Sequence, residues 1–111
     1  MADISKERAE PPMPEPVTVG DVRYEPLLWG KARGLEQNGG YLEAFDVRTD
    51  ESLWILKVYD VDYSIDMEDD KLDVFIEELS AGADGMLTVV NEKGRRYRVD
   101  PKDRSVREIP N

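Results

Sequence analysis

The run YLEAFDVRTDESLWILKVYDV, beginning at Tyr41, constrains the fold more than any other part of the chain. Successive side chains on a strand point to opposite faces, so period-two patterning broken by a short polar stretch reads as a hairpin. It predicts two strands, residues 41–47 and 52–59, joined by a polar turn at 48–51. In the second, Leu53, Ile55, Lys57 and Tyr59 alternate with Trp54, Leu56 and Val58. Apolar groups on both faces predict a central strand rather than one wetted on a side. Just before the run, Gln37, Asn38, Gly39 and Gly40 form a tight turn in which glycine takes positive φ freely.

The same punctuation continues in both directions. Val17 and Val19, then Val22 and Tyr24, alternate around Gly20 and Asp21, and Pro26 closes the run, which reads as edge-type strand. Residues 30–34, GKARG, resemble a phosphate loop only superficially: the GxxxxGK spacing and the hydroxyl that should follow it are missing, so a turn and strand are expected. Residues 70–79 admit two readings. Leu72, Phe75, Ile76 and Leu79 fall at helical spacing, whereas Val74 and Ile76 share one face of a strand. The β-branched residues and the shortness of the run favour strand. Beyond a turn at 82–85, strands are expected at 86–90, 95–99 and 105–109, separated by turns at 91–94 and 101–104.

An internal echo links the two halves. At an offset of 54 residues, Gly40 maps to Gly94, Phe45 to Val99, Asp46 to Asp100 and Thr49 to Asp103. Each copy has a glycine turn, a strand ending in aspartate and a polar turn, and the aspartate side chain is suited to accept turn N–H groups. The expected fold is therefore all-β, with about seven to eight mostly antiparallel strands in two meander units, packed as a small sandwich or partly open barrel. The units would span 17–59 and 72–110, joined by the acidic segment 60–71. Residues 1–16 hold four of the seven prolines and little apolar content, and are expected to be a disordered tail. Pro11 and Pro14 have PxxP spacing, which short proline clusters also show without acting as ligands.

The words GGYLEAFDVRTDESLW resemble the blade repeat of quinoprotein-type (PQQ-like) β-propellers. In that repeat a glycine turn leads to a strand ending in alanine, an apolar residue and aspartate, then a Thr-Gly-Glu-like turn and a strand closing on tryptophan. Ala44, Phe45, Asp46, Thr49, Glu51, Leu53 and Trp54 fit it, and Asp50 stands where glycine is usual. Only Gly94, Tyr97, Val99, Asp100 and Pro101 are similar in the second copy. The resemblance implies blade-like packing anchored by Trp54; it does not carry quinone binding, and the chain has material for two blades at most, too few for a closed propeller. The whole chain also looks like small bacterial proteins of uncharacterised function.

Composition narrows the chemistry. At 111 residues the chain fits one domain. It has no Cys and no His, which removes disulfides, thiolate nucleophiles and imidazole bases, and leaves only oxygen ligands for a metal. Neither a membrane-spanning stretch nor a basic region followed by an apolar core stands near the N-terminus, so a cytoplasmic location without membrane association is expected.

Fifteen basic against 25 acidic residues give a net charge of −10, unfavourable for nucleic acid. Ten acids and one lysine lie from Asp60 to Asp84. Asp60, Asp62, Asp66, Glu68 and Asp70 are weak calcium candidates, because Ile65 or Lys71 stands where an EF-hand loop needs glycine. A carboxylate pair for glycoside chemistry, for example Glu43 with Asp62, is not singled out from so many acids. Seven basic residues from Lys93 to Arg107 oppose this charge, with Arg96 and Arg98 on one strand face and Arg95 and Tyr97 on the other.

Trp54, Phe45 and Phe75 are expected in the core, while Trp29 beside its glycine turn suits an exposed apolar edge. The expected function is a non-catalytic protein-interaction module with no cofactor, its contacts made by Trp29, Tyr24, Lys31 and Arg33. The partner would be another protein. The alternative is a structural homo-oligomer that pairs with a second copy.

Overall fold

The computed structural model describes residues 11–62 and 73–110. Eight strands form two four-stranded antiparallel sheets, each a meander in chain order. The first contains β1 (Val17–Val19), β2 (Val22–Leu27), β3 (Tyr41–Asp46) and β4 (Ser52–Lys57). The second contains β5 (Ile76–Ala81), β6 (Leu87–Asn91), β7 (Arg96–Asp100) and β8 (Ser105–Ile109). The sheets do not close into a barrel, and their first strands, β1 and β5, lie beside one another.

Alternation decides what meets between the sheets. Tyr24, Leu42 and Ala44 face inward from the first sheet, and Leu87, Val89, Tyr97 and Val99 from the second, with Val58, Tyr59, Val74 and Ile76 completing the core. Leu42, Phe75, Ile76, Leu87, Val89 and Val99 are wholly buried. Each such side chain contributes about 1.5–3 kcal/mol relative to exposure. Tyr59 stacks on Tyr97 with ring centroids 5.2 Å apart and sends its hydroxyl to the Val74 carbonyl at 2.7 Å.

The two aspartate turns share one construction. Asp46 Oδ1 accepts the Arg48 N–H and Asp100 Oδ1 accepts that of Lys102, at 2.8 and 3.0 Å. Asp50 N–H donates to the Asp46 carbonyl, and Arg104 N–H to that of Asp100, each at 2.7 Å. Asp50 and Arg104 also have nearly the same left-handed φ, 63° and 61°. Aspartate tolerates that region better than most L-residues, which explains how it occupies a position suited to glycine.

Several expectations change. The run from Val17 is not one edge strand but a hairpin, and β2 is internal. Pro26 sits inside β2, beyond the last β1 pairing at Tyr24, where β2 has a neighbour on one side only. Residues 30–33 form a 3-10 helix closed by Gly34 at φ 85°. The strand expected at 41–47 ends at Asp46, and that expected at 52–59 ends at Lys57.

Among the described residues β4 pairs only with β3 and is an edge strand, not a central one. Apolar groups on both faces report what covers the faces, not how many strands lie alongside. At its start the register skips from Ala44↔Trp54 to Phe45↔Ser52, a bulge that leaves Leu53 exposed. Phe45 is not core: it lies half-buried on the outward face beneath the Arg23 guanidinium, 4.8 Å from the ring centroid. Trp54 flanks the core, tilted against Tyr24 at 5.8 Å.

The described part of 70–79 becomes strand from Ile76, held in register with β6. Residues 11–16 have no regular secondary structure. Residues 1–10 of the expected tail, 63–71 of the acidic segment and Leu72 at the start of the second unit lie outside the described residues. Among the described residues no helix is long and apolar enough to cross a membrane.

Candidate interaction site

Residues 28–40 connect β2 to β3 and roof the outward face of the first sheet. Short-range bonds set their shape: Gly30 N–H donates to the Asn38 carbonyl at 3.0 Å, Lys31 N–H to Asn38 Oδ1 at 3.1 Å, and Leu35 N–H to the Gly30 carbonyl at 2.9 Å. Gln37, only 3% exposed, ties its own loop to the stretch that follows β4. Its Nε2 donates to the carbonyls of Gly39 and Tyr59, both at 2.8 Å, and its Oε1 accepts the Val61 N–H at 2.9 Å. Asn38 Nδ2 reaches Asp73 Oδ2 at 3.1 Å, tying the roof to the residues that lead into β5.

Three glycines make this packing possible. A Cβ on Gly30 would collide with the Gln37 carbonyl, and one on Gly39 would lie 2.5 Å from the Val74 carbonyl oxygen. Gly40 needs φ 93° and would place a Cβ 2.6 Å from Gln37 Nε2. The loop is therefore specified by buried bonds and absent side chains rather than by its own helix propensity.

Trp29 leaves this scaffold at the start of the 3-10 helix. Its ring meets buried Phe75 edge-on, centroids 5.4 Å apart at 72°, yet the residue stays 48% exposed. Such a contact contributes about 0.5–1.5 kcal/mol beyond area burial and fixes one edge of the indole. The rest faces solvent from a rigid support.

Of the other three expected contact residues, Lys31 and Arg33 are exposed on the 3-10 helix that Trp29 precedes, whereas Tyr24 is not at the surface. Tyr24 is 5% exposed and belongs to the core, because it shares the inward face of β2 with Val22; burial raises its phenol pKa. Arg33 is exposed but committed: its Nη1 and Nη2 donate to the Glu43 carboxylate at 3.3 and 3.1 Å. Lys31 is exposed at the backbone position next to Gly30.

Sequence reasoning named Glu43 as one acid among many and missed its place beneath Arg33. Glu43 is 4% exposed and also accepts the Ser52 hydroxyl at 2.7 Å. Burial works to raise its pKa, but the bonds from Arg33 and Ser52 and the Arg33 charge prevail, leaving it below the usual range. A depressed carboxylate is poorly suited to act as a general acid at neutral pH. Asp62 instead lines a cleft with Tyr59, Asp73 and Arg95 that does not include Glu43, so this carboxylate pair is not assembled. The alternation Tyr41, Glu43, Phe45 was the available signal that Glu43 faces the roof.

Of the calcium candidates, Asp66, Glu68 and Asp70 lie outside the described residues. Asp60 accepts Lys57 Nζ at 2.8 Å, as does Glu36, and these bonds hold the lysine well above its usual range. Among the described residues no three carboxylates cluster to hold a metal ion.

A cleft of about 480 Å³ opens between the two sheets, lined by Val19, Tyr24, Met86 and the two aspartates Asp84 and Asp100. Both carboxylates are occupied by turn N–H groups. The roof carrying Trp29 is thus the more organised candidate. No protein-family model, curated protein or solved structure matches the chain.

Proposed function

We propose that this chain is a non-catalytic protein-interaction module, acting in the cytoplasm, with Trp29 as its anchor. One observation carries the reading: a large aromatic side chain, 48% exposed, stands on a loop locked by Gln37 and three sterically required glycines. Half-exposed tryptophans on rigid supports suit hot spots, since they bury much area at small entropic cost. The fitting partner surface is an apolar depression that accepts the free edge of the indole.

The test compares wild-type protein with Trp29→Ala as immobilised bait, with circular dichroism on both. A partner retained by the wild type and lost by a folded variant supports the reading. Equal retention refutes it.

A second reading, self-association, is favoured by β4, an edge unpaired among the described residues, whose bulge exposes Leu53, with Val47 nearby in the turn. Light scattering separates the two: a purified monomer favours recognition of another protein, and a dimer broken by Leu53→Lys favours the edge.

A further inference from the structure

The outward face of the second sheet carries a charge pattern that its own folding does not call for. On β7, Arg96 and Arg98 point outward while Tyr97 and Val99 enter the core. Arg107 on β8 lies directly opposite Arg98, and Arg96 lies opposite Ile109. All three arginines are exposed. None has an ion-pair partner among the described residues, although the chain holds 25 acids to 15 bases.

Arg23, Arg33, Arg48 and Arg95 each meet a carboxylate. Like charges placed directly across a strand pair are unfavourable, and an acid at position 107 would relieve the contact. Three unpaired guanidinium groups gathered on one open face therefore point to an anion from outside.

We propose that this face binds an acidic segment of a partner protein in extended conformation. Arg96 and Arg98 are two residues apart on a strand, about 6.8 Å, the spacing at which an extended chain presents carboxylates at alternate positions. Arg107 adds a third point about 5 Å across from Arg98. Guanidinium groups engage carboxylates with two parallel hydrogen bonds, which rewards that register. Arg98 also borders two shallow depressions, about 330 Å³ towards Thr88 and about 400 Å³ towards Ser105 and Val106, which leave room for intervening side chains.

A nucleic acid fits less well. Stacking needs exposed aromatic rings, whereas Tyr97 is turned inward against Tyr59. The proposal concerns a different surface from Trp29 and stands or falls separately.

The test is fluorescence anisotropy with a fluorescein-labelled peptide of alternating Glu and Thr, about 12 residues long, at about 50 mM salt where screening is weak. Binding tighter than about 100 μM is expected, weakened at least about tenfold in Arg96→Gln/Arg98→Gln/Arg107→Gln. Arg95→Gln, whose guanidinium already meets Glu108, should bind as the wild type does. Circular dichroism confirms folding. If the triple variant does not fold, the single charge reversal Arg98→Glu is read instead and should abolish binding.

The proposal is overturned by affinity weaker than about 1 mM, by a folded triple variant with unchanged affinity, or by tighter binding of a single-stranded oligonucleotide of equal charge. A dimer by light scattering that excludes the peptide would assign the face to a second copy and overturn it equally.

Discussion

Replacing Gln37 with leucine removes three hydrogen bonds while keeping much of the side-chain volume. The bonds are 2.8, 2.8 and 2.9 Å long; one partner lies in the loop itself, at Gly39, and the other two on the stretch after β4, at Tyr59 and Val61. At about 1 kcal/mol net for each, the loss is about 3 kcal/mol, more if the orphaned carbonyls of Gly39 and Tyr59 stay dry. With a urea slope of about 1.5 kcal/mol per molar, the unfolding midpoint falls by about 2 M.

Gln37→Glu supplies a sharper test. Its oxygen would stand where Nε2 now donates to two carbonyls, so ionisation is opposed in the folded state and the folded pKa lies above the unfolded value of about 4.3. Protons are then bound more tightly by the folded chain. Relative to wild type at each pH, the variant should lose little stability below about pH 4 and more as pH rises, by up to about 1.4 kcal/mol per unit until the folded pKa is reached. Urea melts from pH 4 to 8 measure this. A Gln37→Leu loss under about 0.5 kcal/mol, or a pH-independent Gln37→Glu penalty, would refute the assignment of Gln37 as the residue that fastens the roof.

Other outcomes follow from the same geometry. Glu43→Gln should cost about 1–2 kcal/mol at pH 7 by weakening a charge-assisted bond set. Because the Glu43 pKa is depressed in the fold, that difference is present above the usual carboxylate range and shrinks as pH falls through the folded pKa, as acid titration of both proteins would show. Gly39→Ala should cost about 2–3 kcal/mol through collision with the Val74 carbonyl and Phe75, whereas Gly34→Ala meets open space and should cost only about 1 kcal/mol for its positive φ; thermal melts distinguish them. Trp29→Ala should leave the chain folded but lower its melting temperature by roughly 10 °C, since it loses about 1 kcal/mol of edge contact with Phe75 together with the apolar area that the half-buried indole covers.

Much of the strand order was legible because antiparallel meanders are built from neighbours in sequence. The echo at Asp46 and Asp100 foretold two like turns, since a carboxylate followed by a polar stretch has a local bonding solution. The strand reading of the run containing Val74 and Ile76 was harder, because its periodicity suits both states and pairing with β6 decides it. Tyr24 was assigned to the surface although Val22 and Tyr24 alternate together, a pattern that already favoured a shared inward face. Gln37 gave no periodic signal: its importance rests on Tyr59 and Val61, more than 20 residues away.

By itself, the sequence determined local matters: where strands run, where glycine and aspartate turn the chain, and that imidazole and thiol chemistry are absent. Only the tertiary structure decided that β4 is an edge, that Phe45 faces outward under Arg23, that Arg33 is held by Glu43 and that Arg98 faces Arg107. The division is physical. Alternation is imposed residue by residue by backbone geometry, whereas which face is covered, and by what, depends on contacts between segments whose free energies no local pattern encodes.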